Sequence, residues 1–202
     1  MKAILVNYNF IPDWIKLFTD DYIIYDRSDN DKWLKDFPKN KIIKTRNIGN
    51  ADYDRLSYLV DNYYKLPEIF LWTKSNLFKY ITEKEFKDLP KDDFTPLLTQ
   101  YHKTYEPICR YKDGMYEEIN NSWYLGMHPA MYYKNYNEFA KEFGFPTPEY
   151  LQFPPGGNFI LTKERVHRYP IEFYDNLRNL LPYTKLPGEA QILERTYYTL
   201  WK

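Results

Sequence analysis

The sequence predicts an α/β fold, with a mostly parallel central sheet flanked by helices, in one domain spanning residues 1–202. Two observations predict the sheet. Short apolar runs of strand length alternate with helix-period patterns in a β-α-β-β-α-β order through the first half, which favours a parallel sheet covered by helices. Glu68-Ile69-Phe70-Leu71-Trp72 is a nearly continuous apolar run, as expected of a strand buried on both faces. A third observation, the length of 202 residues, suits a single domain with a sizeable core.

The elements follow in order. Ala3 to Tyr8 reads as the first strand and ends at Asn9. Pro12-Asp13-Trp14 opens a short helix carrying Ile15, Leu17 and Phe18. Tyr22-Ile23-Ile24-Tyr25 reads as a second strand, stopped by Asp26-Arg27-Ser28-Asp29, and Lys41-Ile42-Ile43-Lys44 as a third. Between Tyr53 and Tyr64, the residues Leu56, Leu59, Val60 and Tyr63 recur at helical spacing, with Asn50 or Asp52 as cap. Pro67 closes that region ahead of the buried strand. Residues 88 to 155 are less regular and rich in Pro, Tyr and Asn, the composition of an active-site loop region. Pro154-Pro155-Gly156-Gly157 then turns the chain into a strand over Asn158-Phe159-Ile160-Leu161. Thr162 caps a following turn, and Pro170 suits the first position of a helix lined by Phe173, Leu177 and Leu180. A last helix starts near Pro187-Gly188, with Ile192, Thr196 and Leu200 on one side.

Composition narrows the function class. Lys+Arg and Asp+Glu are both 28, so the basic excess of a nucleic-acid binder is missing. No apolar run approaches the roughly 18–20 residues that span a bilayer, and no signal-peptide pattern follows Met1; a soluble, cytoplasmic protein is expected. Cys109 is the one cysteine and reads as a small buried hydrophobe. Aromatic residues reach 20%, offering ring faces for stacking on bases and sugars, although a low-GC coding bias accounts for most of the excess. Neither G-x-G-x-x-G nor G-x-x-x-x-G-K-[ST] occurs, and no G-x-S-x-G elbow is present.

Several stretches carry a family resemblance. Arg46-Asn47-Ile48-Gly49-Asn50, Tyr58-Leu59-Val60-Asp61-Asn62-Tyr63 and Leu66-Pro67-Glu68-Ile69-Phe70-Leu71 together resemble a segment of small GT-A-like glycosyltransferases, in which a helix leads through Leu-Pro into a buried strand and the donor site. Gly157 to Glu164 with Tyr169 to Tyr174 is similar to their second signature. Ile192-Leu193-Glu194-Arg195 resembles the last helix of capsular-polysaccharide-type transferases, and His128-Pro129 a His-Pro element of the same group. Glycosyltransferase domains of large algal viruses that build capsid glycans share this Tyr- and Asn-rich character. The resemblance covers about two thirds of the chain. It implies a GT-A-like (Rossmann-like) fold, a UDP-sugar donor, a glycan or glycoprotein acceptor and a divalent metal, Mn²⁺. A non-catalytic carbohydrate-binding module is the alternative.

Glycosyl transfer from a nucleotide sugar needs positive charge or a divalent metal on the leaving diphosphate. An inverting enzyme also needs a base for the acceptor hydroxyl. Ligands of parallel sheets sit beyond the carboxyl ends of the strands. The donor-site candidates are therefore Tyr8 and Asn9, Asp26, Arg46 and Asn47, and Lys74 and Ser75, with Asn158 added from the second signature. Each is equally compatible with an ordinary strand-to-loop junction. Asp-x-Asp, the usual metal-holding pattern of such enzymes, occurs as Asp29-Asn30-Asp31 and Asp52-Tyr53-Asp54, but not after the buried strand. That position reads Thr73-Lys74-Ser75-Asn76, where Asn76 is the candidate metal ligand and Lys74 a direct phosphate contact. Glu189 reads as the catalytic base or as a carboxylate stabilising its own helix N-terminus. Trp123 and His128 are candidates for the acceptor side, with core packing and a loop role as the alternatives.

Overall fold

The computed structural model describes residues 1–91, 93–97, 108–112, 115–118, 128, 130–133, 136–146, 149–154 and 156–202. In chain order these form β1 (Lys2–Asn7), α1 (Trp14–Phe18), β2 (Tyr22–Asp26), β3 (Ile42–Lys44), α2 (Asn50–Asn62), β4 (Ile69–Lys74) and α3 (Glu83–Asp88). They continue with β5 (Phe94–Pro96), β6 (Ile108–Lys112), β7 (Met115–Glu118), α4 (Tyr136–Phe143) and β8 (Tyr150–Gln152). The last are β9 (Phe159–Thr162), α5 (Lys163–Val166), α6 (Ile171–Asn179) and α7 (Gly188–Trp201).

The main sheet has six strands in the order β3-β2-β1-β4-β9-β5. β3, β2, β1 and β4 are mutually parallel, whereas β9 runs antiparallel to both β4 and β5. The expected mostly parallel sheet is thus a mixed one, with a parallel half followed by an antiparallel extension. The irregular stretch also holds a second sheet, β7-β6-β8, that its composition concealed.

Both faces of the main sheet are covered, because its central strands are apolar on both sides. Ile4 and Val6 of β1 and Phe70 and Trp72 of β4 join the core beneath α2, α6 and α7. Ala3 and Leu5, with Leu71, point into the opposite core, which Ile15 of α1 and Phe86 of α3 close. The aromatic excess is concentrated in the first core. Tyr197 and Trp201 stack at 4.9 Å between ring centroids and pack against Trp72 and Phe159.

Two helix starts matter for the site. α2 begins after Gly49 in a left-handed conformation (φ 68°) rather than at a side-chain cap, and Asn50 is left-handed too. A Cβ on Gly49 would come within 2.6 Å of the Tyr53 Cβ, so this turn requires glycine. The amides of Gly49 and Asn50 donate to the carbonyls of Thr184 and Lys185, at 2.7 and 2.9 Å. These bonds tie the start of α2 to the loop before α7. The latter helix is buried on nearly every side, including Glu189, Gln191, Glu194, Arg195 and Thr196. No helix among the described residues is long and apolar enough to cross a membrane.

Candidate active site

A cavity of about 380 Å³ opens at the carboxyl ends of β1 and β4, within the roughly 300–1,000 Å³ range of small-molecule sites. This is where the parallel order reverses: the chain leaves β1 towards β2 on one side, and β4 lies on the other. Open α/β sheets bind their ligands at such a switch point, because the loops leaving adjacent strands diverge there.

Loops after three strands build the wall. β1 contributes Asn7, Tyr8 and Phe10, the loop after β2 contributes Arg27, and β4 contributes Lys74, Ser75 and Asn76. The Ser75 amide donates to the Val6 carbonyl at 3.0 Å and the Arg27 amide to that of Asn7 at 2.9 Å, so the ladder continues into the loops and fixes them. Asn47, Asn50, Tyr80, Lys185 and Leu186 complete the rim.

The wall is electropositive. Among the described residues, Arg27, Lys74 and Lys185 are its charged members and no carboxylate lines it. Arg27 is buried, with Nε 3.2 Å from Asp54 Oδ2 and a terminal nitrogen donating to the Ile48 carbonyl. Burial pushes the Asp54 carboxyl up to about 6 even beside that guanidinium, because removal from water disfavours the charged form. Lys74 and Lys185 form no ion pair among the described residues, and the Lys74 ammonium lies 5.8 Å from the centre of the Tyr80 ring. Besides Arg27 Nε, which is ion-paired with Asp54, two buried polar atoms of this wall have no hydrogen-bond partner, Asn7 Oδ1 and Ser75 Oγ. Orphaned polar atoms of this kind are uncommon in interiors, and both belong to residues lining the cavity.

The expected donor-site residues separate into two sets. Tyr8, Asn47, Lys74, Ser75 and Asn76 meet on the wall. Asn9, Asp26, Arg46 and Asn158 do not line it, and three of them brace what does. Asn9, left-handed at φ 50°, receives Ser28 Oγ as acceptor for its amide at 2.9 Å and donates from Nδ2 to Asp29 at 2.8 Å, closing the turn that carries Tyr8. Asp26 is buried and accepts from Asn7 Nδ2 (3.0 Å), Ser28 Oγ (2.6 Å) and Lys44 Nζ (2.5 Å). Burial alone would raise its pKa, but these bonds outweigh burial and hold the carboxyl below its ordinary range. Its carboxylate faces a separate cavity of about 300 Å³ bounded by Asp31, Lys35, Lys39 and Lys44. Asn158 is fully buried behind β4. Its Oδ1 accepts from the Lys74 amide at 2.9 Å, Thr73 Oγ1 at 3.1 Å and Arg55 at 3.4 Å, which sets the direction in which the chain leaves β4. Arg46 is exposed outside the wall.

Glu189 is fully buried away from the wall. Its Oε1 accepts from the amides of Met131 (2.8 Å), Tyr132 (2.6 Å) and Tyr133 (3.4 Å), and Oε2 from the Tyr183 hydroxyl. That is an anchor holding segment 131–133 to the start of α7. His128 is half-buried and lies off the wall. Trp123 lies outside the described residues.

The Asp-x-Asp pairs are spoken for. Asp29 accepts from Tyr8 and Asn9, and Asp31 is 2.5 Å from Lys44. Asp52 and Asp54 are buried in the first turns of α2, against Arg55, Tyr197 and Arg27. A protein-held Mn²⁺ takes hard oxygen donors, chiefly carboxylates. The wall offers it amide and hydroxyl oxygens from Asn7, Asn47, Ser75 and Asn76 among cations. Among the described residues, no group of three or more His, Cys, Asp or Glu is placed to hold a metal ion. This wall fits an anion better than a cation.

Lys185, Arg27, Asn7 and Tyr80 were not among the sequence candidates. Arg27 and Asn7 carried a weak signal, being polar at strand ends. Lys185 carried none, since it follows no strand and reaches the site only through the pairing of its loop with Gly49 and Asn50. No curated protein and no solved structure matches the chain. A family model does, over residues 12–202, under the description protein of unknown function (DUF3431); the chain belongs to that family.

Proposed function

We propose that the chain is a glycosyltransferase that binds a nucleotide sugar, of the UDP type, in the switch-point cavity and passes the sugar to a glycan or glycoprotein acceptor. The observation that carries this reading is a cavity at the carboxyl ends of β1 and β4 whose charged residues, among those described, are all cationic. A parallel β3-β2-β1-β4 order with helices on both faces supports the Rossmann-like, GT-A-like architecture that the sequence resemblance implies.

In this reaction the anomeric carbon exchanges its bond to the β-phosphate oxygen for one to the acceptor oxygen. The nucleoside diphosphate leaves with the bonding pair, and the acceptor hydroxyl releases its proton to solvent. Negative charge grows on the departing diphosphate, so fixed cations beside it lower the barrier. Lys74 and Lys185 are placed for that role. Tyr8, 52% exposed at the rim, and Tyr80 supply ring faces for the base.

Thermal unfolding with UDP, GDP and CMP is the first test, followed by UDP-sugar hydrolysis. A ligand at about 100 times its Kd stabilises by roughly 2.7 kcal/mol, or about 5–10 °C for a chain of this size. A rise with UDP is expected. No rise with any nucleotide at millimolar concentration would remove the transferase reading and favour a carbohydrate-binding module.

A further inference from the structure

We infer that the cavity holds the diphosphate of its nucleotide with a lysine pair, Lys74 and Lys185, and Ser75, without a protein-bound divalent cation. This rests on the nucleotide-sugar reading above and adds how the site balances charge. A nucleotide sugar carries two negative charges on its diphosphate. The wall carries two lysines, neither with an ion-pair partner among the described residues, while the charge of Arg27 is already engaged by Asp54.

The backbone fixes both lysines even though their side chains are long. The Lys74 amide is held by Asn158 Oδ1 at 2.9 Å. Lys185 is held through its carbonyl, which accepts from the Asn50 amide at 2.9 Å. One cation therefore comes from the end of β4 and the other from the loop before α7. Ser75 Oγ, buried and without a partner, has a free donor for a phosphate oxygen. Asn7 Oδ1, likewise buried and without a partner, is an acceptor, and an ionised diphosphate has no hydrogen to donate to it, so it suits a sugar hydroxyl rather than a phosphate. A divalent cation has no comparable partner on the described wall: of the carboxylates that contact wall residues, Asp26 is bonded to Lys44 and Asp54 paired with Arg27, while Asp29 accepts from Tyr8 and Asn9.

Isothermal titration of the full chain with UDP, uridine and inorganic pyrophosphate, in EDTA and then in excess Mn²⁺, tests the inference. UDP is expected to bind in EDTA, to change affinity by less than about threefold on adding Mn²⁺, and to lose affinity steeply with salt. Lys74→Ala and Lys185→Ala should each weaken UDP by roughly 10- to 100-fold, the scale of a charged hydrogen bond, while uridine binding stays unchanged. Lys185→Arg should retain most of the affinity, and unliganded melting temperatures should match wild type, showing that the variants fold. UDP binding that appears only with Mn²⁺ would overturn the lysine pair and leave the nucleotide site standing. Equal binding of UDP and uridine, or alanine variants that bind UDP like wild type, would overturn it too. Absence of UDP binding in both conditions would overturn this inference and the transferase reading together.

Discussion

Replacing Asp52 by alanine tests whether the Asp52-Tyr53-Asp54 pattern builds structure or holds metal. Asp52 is buried on α2, and its Oδ1 accepts from the Tyr197 hydroxyl at 2.9 Å and from Arg55 at 3.4 Å. Arg55 is itself 1% exposed. Its remaining bonds go to the Gly156 carbonyl at 3.0 Å and to Asn158 at 3.4 Å, both neutral acceptors. Deleting the carboxylate leaves a buried guanidinium without its hydrogen-bonded counter-charge and a fully buried tyrosine without an acceptor. Breaking one partner of a buried pair costs about 3–5 kcal/mol, which lowers the melting temperature by roughly 6–20 °C in a chain of this size. Asp52→Asn keeps an oxygen for Tyr197 and loses only the charge, so it should fall between alanine and wild type. Urea unfolding of the three proteins, each with EDTA and with Mn²⁺, provides the measurement. A loss under about 1 kcal/mol for Asp52→Ala, with a Mn²⁺-dependent stabilisation present only in wild type, would refute the structural account.

Two further predictions concern carboxylates with opposite duties. Glu189→Ala should destabilise by about 1–3 kcal/mol by orphaning buried donors and should speed hydrogen exchange at 131–133, while UDP affinity holds; loss of transfer in Glu189→Gln with native stability would instead return Glu189 to catalysis. Asp26 and Asp54 should shape the acid limb of the stability curve in opposite senses. The Asp26 pKa is depressed in the fold, so its contribution is complete above roughly pH 4 and is lost as pH falls through the depressed value. The Asp54 carboxyl sits near 6 in the fold, above its unfolded value. It binds a proton more tightly when folded, so stability declines as pH rises from about 4 to 6. Denaturant titrations from pH 3 to 7 should show Asp26→Asn flattening the acid loss and Asp54→Asn removing the decline.

The parallel half of the fold was legible because β1, β2 and β4 are largely buried apolar runs and its punctuation is local. Each of β1 to β4 falls within one or two residues of an apolar run, and α2 is carried by Leu56 and Leu59 at helical spacing. The second sheet was hidden because β6 and β7 are short and contain charged residues such as Arg110 and Glu117, with no alternation to read. Site residues on strand ends could be proposed from the topology rule alone, and Lys74 and Ser75 came to the wall that way. Which of two adjacent polar residues faces the cavity depends on the pleat and the turn. Asn7 and Arg27 therefore line the site while Asn9 and Asp26 brace it. Glu189 looked like a site residue because a carboxylate at a helix start satisfies two different demands, and only its amide partners distinguish them.

The hydrogen bond from the Lys74 amide to Asn158 joins residues 84 apart in sequence, and that separation orders events during synthesis. β1 to β4 emerge first and contain every parallel pairing of the sheet. The strand carrying Lys74 nevertheless has an open flank until β9 arrives to pair with it, and the second lysine follows later still. Long-range closure of this kind is slow, since a large loop must be ordered before any contact is gained. A ribosome-bound chain that has completed its parallel half therefore holds the switch point with Arg27 and Lys74 but without Lys185 and without Asn158 behind the Lys74 amide. Under the proposed nucleotide reading, full affinity would report the docking of residues 156–188, the step that brings in Asn158 and Lys185.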